Sequence, residues 1–321
     1  MVDSKQQWKA WLYLAPAIIL LLIFTVWPII NTVRMAFING FDFSYIAENT
    51  KDEKIISIGI RNFANVIRNP FFTNALKNTL LLCVLTVPLS TFLALLIAVC
   101  LNSIKPLQKL LQTIFFLPYV TNSIAIGMVF AAMFNIVGNV VGNDIHGPLI
   151  NNPGIINYVL EFLGFDRINW MNNGSSYWAN IWVMVIYIVW NALPFKILIL
   201  LGGLQSVNKQ YYDAAKVDST PKWRVFTKIT VPLLSPMLAY VIITGFIGGF
   251  KEYSSIVGVF GEVLMGPPHD PGRLNTVVGM IYDYIEGRNF GIASAGALIL
   301  FVIILIVTFI NLWVSKKKVH Y

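Results

Sequence analysis

Six long stretches of the chain contain no Asp, Glu, Lys or Arg, and they constrain the fold more than any other feature. They cover residues 10–33, 78–104, 110–143, 168–195, 229–250 and 289–315. Each has at least 22 residues, whereas a helix needs about 20 apolar residues to cross a bilayer. Because backbone groups in lipid must be hydrogen-bonded within the segment, we predict an all-α polytopic membrane protein with six transmembrane helices. We expect spans at about 11–33, 78–101, 110–134, 177–201, 233–256 and 291–314, in one domain over 1–321.

The composition agrees with this class. Charged residues make up 12% of the chain and apolar residues 57%, whereas a soluble domain carries about 25% charged residues. The first apolar stretch is too long for the core of a signal peptide, so we interpret it as an uncleaved first helix.

The distribution of basic residues predicts the orientation in the membrane. If both termini are inside, the inner segments 1–10, 102–109, 202–230 and 315–321 carry 12 Lys or Arg and three acids. The outer segments are more than twice as long in total and carry 9 Lys or Arg and 12 acids. The positive-inside rule therefore places both termini in the cytoplasm.

Several motifs of catalysis and energy coupling are missing from the sequence. There is no G-x-x-x-x-G-K-[ST], so the chain has no P-loop of its own for ATP. There is no His-Glu-x-x-His, no Gly-x-Ser-x-Gly and no periodic row of Arg. We expect no catalytic residue, no metal site and no cofactor bound by this chain.

One charged stretch interrupts the apolar pattern, "YYDAAKVDSTPKWRVFTKITVPLLSP", at 211–236. The segment 208–232 predicts two short helices on the cytoplasmic side. Asn208 would cap the first, and Thr220 would cap the second with Pro221 as its first residue. The second helix would stop before Pro232. A membrane-surface amphipathic element explains the basic residues, but it leaves the Asp-Ala-Ala triplet and the second cap unexplained.

This stretch resembles a motif in the permease subunits of binding-protein-dependent ABC importers. That motif is Glu-Ala-Ala, three residues, Gly, nine residues, then Ile-x-Leu-Pro. Here the same spacing joins Asp213-Ala214-Ala215, Ser219 and Ile229-Thr230-Val231-Pro232. Further segments, among them "NPFFTNALKNTLLL", "WNALPFKILILLGGLQSV" and "GIASAGALIL", resemble carbohydrate importer permeases of the maltose and glycerol-3-phosphate type, over roughly 10–315.

The resemblance implies a permease domain whose helix pair docks into a cleft on an ATPase subunit. The coupling residues would be Asp213, Ala214, Ala215, Asp218, Ser219, Pro221, Ile229 and Pro232. Three positions depart from the motif: Asp213 for Glu, Val231 for Leu and Ser219 for Gly. The last matters if that residue has a positive φ, where a non-Gly residue is strained by about 1 kcal/mol or more.

Polar and aromatic residues inside the spans predict where a substrate would pass. Lys251 and Glu252 follow an apolar run, and ionisable residues at membrane depth usually face a cavity; alternatively, the helix has already reached the outer interface. Trp190 and Asn191 lie beside Pro194, which should kink the fourth span. Sugar contacts in maltose-type permeases, carried over by local motif, fall on residues in the third, fourth and fifth spans: Tyr119, Ser123, Trp190, Asn191, Ala192, Gly249 and Glu252.

The predicted function is therefore the permease subunit of an ATP-driven importer for carbohydrate, and we expect the substrate to be an oligosaccharide. The chain would lie in the bacterial plasma membrane. Its partners would be a second homologous permease, two ATPases that bind ATP and Mg²⁺, and an extracytoplasmic solute-binding protein. Three alternatives stay open at this point. They are an ABC permease for a polyamine, phosphate or metal oxyanion, an ion-coupled secondary transporter, and a structural membrane scaffold.

Overall fold

The computed structural model describes residues 7–39, 41, 57–104, 108–134, 137–140, 149–152, 154–171, 175–261 and 274–318, which are mainly helical. The helices in chain order are α1 (Gln7–Leu21), α2 (Trp27–Phe37), α3 (Arg61–Arg68), α4 (Pro70–Ser103), α5 (Gln108–Val120), α6 (Ser123–Phe134), α7 (Ile155–Phe162), α8 (Tyr177–Ser206), α9 (Lys209–Val217), α10 (Lys222–Val225), α11 (Val231–Leu233), α12 (Ser235–Phe250), α13 (Ser254–Phe260), α14 (Val277–Glu286) and α15 (Phe290–Lys318). Two π-helical turns, Leu22–Val26 and Phe226–Thr230, join α1 to α2 and α10 to α11. A short antiparallel sheet pairs β1 (Val137–Val140) with β2 (Leu149–Asn152).

Four helices in the described part of the chain are long and apolar enough to cross a membrane. They are Trp8–Phe37, Pro70–Ser103, Tyr177–Ser206 and Phe290–Lys316. Two bent pairs also qualify when each is taken together, Leu110–Val120 with Ser123–Phe134 and Lys222–Leu233 with Ser235–Phe250. Counting each bent pair as one span gives six, and the predicted all-α polytopic fold is confirmed.

The third span, predicted as one helix over 110–134, is broken. Its two halves, α5 and α6, meet at 97° across Thr121 and Asn122. The N–H of Thr121 turns back to the carbonyl of Pro118 at 3.3 Å. The side-chain oxygen of Asn122 then accepts the N–H of Ile124 at 2.9 Å. Asn122 thus acts as a cap that starts a new helix in a new direction.

The fifth span, predicted over 233–256, differs at both ends. A helical segment already runs over Lys222–Leu233 and bends by 68° before Ser235–Phe250. Pro236 lies just after the bend and has no N–H with which to continue the preceding helix. The span then ends at Phe250, and residues 251–253 are not helical.

The chain groups into two compact units, Met1–Thr73 with Met280–Val302, and Asn74–Gly279 with Ile303–Tyr321. In the first unit, the buried side chain of Asn62 holds α3 against the end of α2. Its amide nitrogen donates to the carbonyls of Ala36 at 3.0 Å and Ile38 at 2.8 Å. These two bonds satisfy carbonyls that the end of α2 would otherwise leave without a partner.

In the second unit, α8 lies at the centre of the core. Its most apolar stretch is 56% buried, against 44% for Pro70–Ser103. One cluster joins α8 to α4, α6 and α13 through Met184, Tyr187, Leu82 and Ile256. The first and last helices are almost unburied along their apolar stretches, so lipid or another subunit would cover them.

Two short helices of the second unit, α6 and α13, cross at a pair of glycines. A Cβ added to Gly127 would lie 2.7 Å from the Cα of Gly258. No side chain fits at that distance, so the crossing requires glycine on α6. The contact holds α6, the second half of the third span, against the segment that follows the fifth span.

Candidate functional site

The hairpin over residues 208–233, for which the sequence predicts a coupling role, begins with α9, and Asn208 is its N-cap as predicted. The Asn208 side chain accepts the N–H of Gln210 at 3.0 Å, which satisfies one of the free donors of the first turn. Along the helix, Asp213 and Ala214 are exposed and Ala215 is buried. The Asp213 carboxylate lies 3.6 Å from the Lys216 ammonium in an exposed ion pair.

The turn between the two hairpin helices depends on Ser219. Its φ is +48°, in the left-handed region that favours glycine. The N–H of Thr220 donates to the carbonyl of Ala215 at 2.9 Å, and that of Ser219 donates to Lys216 at 3.1 Å. This is the Schellman pattern of a helix end, with Asp218 as the C-cap. Ser219 therefore adopts a glycine conformation at the position where the resembling motif has Gly.

The second helix of the hairpin begins one residue later than predicted and does not stop before Pro232. Pro221 is extended, with ψ of 143°, and serves as the N-cap itself, so Thr220 is not the cap. The helix passes through the π-helical turn Phe226–Thr230 and ends at Leu233. That wider turn accommodates Pro232, whose ring would clash with the carbonyl four residues back in a regular α-helix.

A contact that the sequence did not indicate ties the two hairpin helices together. The hydroxyls of Tyr212 and Thr230 lie 3.4 Å apart, and Thr230 is buried. Ile229 beside it is half-buried. Meanwhile Val217 is 85% exposed and Trp223 is 73% exposed. Large apolar side chains on a charged element of this kind mark a surface that another protein can cover.

The predicted passage residues on the third and fourth spans come together around aromatic rings. Tyr119 stacks on Phe195 of α8 with ring centroids 5.8 Å apart. Trp190 lies 5.3 Å from Phe130 of α6. Asn191 and Ala192, between these contacts on α8, are half-buried. Aromatic faces beside amides suit a ligand with both hydroxyls and apolar C–H groups.

Ser123 takes part through its backbone rather than as a helical neighbour of Tyr119. The break at residues 121–122 places the two residues on different helices, so they do not follow one another along a single helix face. The carbonyl of Ser123 accepts the hydroxyl of Tyr187 at 2.7 Å. Tyr187 also belongs to the buried apolar cluster that includes Ile256 of α13. This tyrosine, which the sequence analysis missed, joins α6, α8 and α13.

The predicted span over 233–256 placed Lys251 and Glu252 on a helix. In the structure, neither residue is helical. Lys251 is the exposed C-cap of α12, and Glu252 follows it in the break. The Glu252 carboxylate accepts the N–H of Ser255 at 3.3 Å, and its carbonyl accepts the hydroxyl of Thr276 at 2.9 Å. Gly249, one turn earlier, faces α4, since an added Cβ would lie 2.8 Å from the Cys83 sulfur.

Lys196 was not among the predicted site residues. It follows the charge-free stretch 168–195 and falls inside the predicted span 177–201, and in the structure it lies inside α8 and is 4% exposed. The sequence does contain a signal for this residue. A single lysine between two apolar runs of one span indicates an ionisable side chain inside the membrane.

The sequence matches the model of a known protein family. A family model described as "Binding-protein-dependent transport system inner membrane component" matches residues 87–320. The chain belongs to this family. The match includes α8, the hairpin 208–233 and α12, and the family resemblance recognised from the Asp-Ala-Ala motif is confirmed. The protein is a multi-pass membrane component of a transport system that works with a binding protein.

Several curated relatives align along nearly the whole chain. The arabinooligosaccharides transport system permease protein AraP of Halalkalibacterium halodurans is 27% identical, covering 97% of this chain and 89% of its own. The lactose transport system permease protein LacF of Rhizobium radiobacter is 24% identical, with 97% and 95% covered. The trehalose/maltose transport system permease protein MalF of Thermococcus litoralis is 26% identical, with 96% and 94% covered.

Solved structures share the fold. A chain of a bacterial ABC transporter involved in the import of the acidic polysaccharide alginate superposes with a TM-score of 0.74 at 23% identity, covering 98% of this chain and 97% of that one. A chain of the bacterial alginate transporter in complex with an alginate pentasaccharide-bound periplasmic protein superposes with a TM-score of 0.77 at 23% identity. The match covers 99% of this chain and 98% of that one.

Proposed function

We propose that this chain is the permease subunit of an ATP-driven, binding-protein-dependent importer for an oligosaccharide. The observation that carries the proposal is the hairpin of α9 and α10 with the motif spacing kept, inside a chain of the binding-protein-dependent family. The named sugars of AraP, LacF and MalF support a carbohydrate substrate.

The chain transports without catalysing a reaction. It carries no P-loop, so ATP and Mg²⁺ would bind on two partner ATPases, and this chain itself binds no cofactor. A second homologous permease would complete a heterodimer in which each subunit forms half of the pathway. The unburied apolar faces of Trp8–Phe37 and Phe290–Lys316 leave surface for that partner and for lipid.

The connections of the hairpin explain how closure of the ATPases would move the spans. The last residue of α8, Ser206, is two residues from the cap Asn208. The second hairpin helix continues without interruption to Leu233 and then bends into α12. A push on the hairpin would thus act directly on the fourth and fifth spans, which carry Trp190, Asn191, Ala192 and Gly249. Rigid-body movement of this kind is a common route between two states of a transporter.

The passage would bind sugar through the aromatic and polar groups of α5, α6, α8 and the segment after α12. Tyr119 and Trp190 would offer ring faces, Asn191 would offer an amide, and Glu252, in the break after α12, would offer a carboxylate. Ser123, Ala192, Gly249 and Lys251 would line the remainder. Both termini would lie in the cytoplasm, and the outer segment 135–177 would receive the solute-binding protein.

Copurification tests the proposal. A tagged chain would be isolated from native membranes in mild detergent, and its partners and ATP hydrolysis would be measured. We expect a second permease, a P-loop ATPase and hydrolysis stimulated by a sugar-loaded binding protein. Stimulation by a non-sugar solute would replace the substrate class. A chain that is isolated alone even after cross-linking, and that drives ion-dependent uptake in ATPase-free vesicles, would refute the proposal.

A further inference from the structure

A lysine lies buried inside the central span, α8. Lys196 of α8 is 4% exposed, and the neighbouring Pro194 and Ile197 are buried as well. Ile197 belongs to the apolar cluster that joins α8 to α4 through Ala94 and Leu95. Ionisable side chains at this depth are costly and occur where specific partners compensate them.

Three oxygen atoms of α4 surround the Lys196 nitrogen. The Nζ atom lies 2.7 Å from Ser90 Oγ, 2.9 Å from Thr91 Oγ1 and 3.3 Å from the carbonyl oxygen of Val87. The Thr91 hydroxyl donates its own hydrogen to the Val87 carbonyl, and the Ser90 hydroxyl donates to the carbonyl of Thr86. Both hydroxyls therefore present lone pairs to the lysine. Three acceptors match the three donors of a charged ammonium.

Among the described residues, no carboxylate forms an ion pair with Lys196. The third helix at this point, α12, contributes a glycine. A Cβ added to Gly245 would lie 3.2 Å from the Lys196 nitrogen. The charge is thus held by hydroxyl and carbonyl dipoles of one neighbouring helix, while another helix passes close to it.

We propose that Lys196 is a positioning residue for transport that braces α8 against α4. The residue before it, Phe195, stacks on Tyr119, so the brace sets the position of the aromatic pair in the candidate passage. Because α8 leads into the coupling hairpin, the brace also makes α4 and α8 move as one body when the hairpin is pushed. This role rests on the proposed function, since it needs a transport cycle to act in.

The chain offers a matched pair of threonines for the test. Thr86 and Thr91 are both buried on α4, and each donates to the carbonyl four residues back at 2.7 Å. Thr91 also accepts from Lys196. Thr86→Val therefore controls for the loss of a buried hydroxyl, and Thr91→Val additionally removes one acceptor of the ammonium.

The complex would be purified with each valine variant, in the native Lys196 background and in the Lys196→Met background, and its thermal midpoint measured. With Lys196 present, we expect Thr91→Val to lower the Tm by roughly 2–4 °C more than Thr86→Val, the shift typical of one lost buried interaction. With Lys196→Met, the two valine variants should shift the Tm equally. Equal shifts in the native background would overturn the brace.

Transport kinetics separate positioning from stability alone. Per folded complex, we expect Lys196→Met to lower the maximal uptake rate by about tenfold, the factor that corresponds to one hydrogen bond to a charged group. The half-saturating concentration of loaded binding protein should not change, and more ATP should be hydrolysed per sugar. Lys196→Arg should not restore the rate, because its planar fork does not match three acceptors on one helix.

A wild-type rate in Lys196→Met would overturn the proposal while leaving the importer function intact. Failure of the wild-type complex to import any sugar would instead refute the proposed function. The comparison of the two valine variants would still test the contact between α4 and α8 in that case.

Discussion

Replacing Ser219 by glycine should stabilise the strained turn of the coupling hairpin. Ser219 has a φ of +48°, and the left-handed region costs a residue with a Cβ about 1–2 kcal/mol. The two bonds that close the turn are made by backbone N–H groups, so Ser219→Gly keeps them. Glycine relieves the strain but loses about 0.5–1 kcal/mol through its greater freedom in the open state. We expect a net stabilisation of the turn of about 0.5–1 kcal/mol.

Amide hydrogen exchange of the purified complex measures this difference. Opening of the α9 segment 209–217 should be about two- to fivefold rarer in Ser219→Gly, the factor that corresponds to the expected free energy. Ser219→Val should open more often than the native chain, because a β-branched residue is a strong outlier at positive φ. Ser206→Gly is the control, since Ser206 is helical and its hydroxyl donates to Gly203 at 2.8 Å. It should speed exchange locally.

Slower exchange in Ser219→Val than in the native chain would contradict the left-handed turn. Unchanged exchange in both Ser219 variants would contradict it as well. In either case, the reading of Ser219 as the counterpart of the motif glycine would fail.

Three further predictions concern docking, packing and the passage. Ala214 is exposed on α9, so Ala214→Glu should abolish stimulated ATP hydrolysis while the purified chain keeps its Tm; normal hydrolysis would count against docking there. Gly127→Ala should destabilise the chain by about 1–3 kcal/mol through overpacking against Gly258. Gly202→Ala has open space around the added Cβ and should stabilise α8 by up to about 1 kcal/mol. Thermal unfolding of the two variants measures the difference. Trp190→Leu should lower the maximal sugar uptake rate about two- to tenfold, as expected for one aromatic contact; unchanged uptake would remove Trp190 from the passage.

The sequence predicted the apolar membrane segments and much of the hairpin because those features are local. A run without charge is itself the condition for crossing lipid, and Asn208 caps a helix through a bond to a residue two positions on. The motif spacing also identified Ser219 as the residue on which the turn depends.

The bends and the buried contacts were not predictable in the same way. A charge-free stretch indicates that a segment is apolar, but it does not indicate where the helix changes direction. It therefore did not predict the 97° break at Asn122 or the 68° bend before Ser235. The partners of Lys196 lie more than 100 residues away on α4. Their pairing depends on tertiary packing, which a pattern along one helix does not contain.

Uptake into proteoliposomes tests the central claim most directly. The complex copurified with this chain would be reconstituted, with ATP and Mg²⁺ supplied to the hairpin side and a binding protein loaded with labelled oligosaccharide supplied to the other side. The account predicts accumulation of sugar that requires both additions and is lost in Ala214→Glu. Accumulation without ATP, driven by an ion gradient, would contradict it.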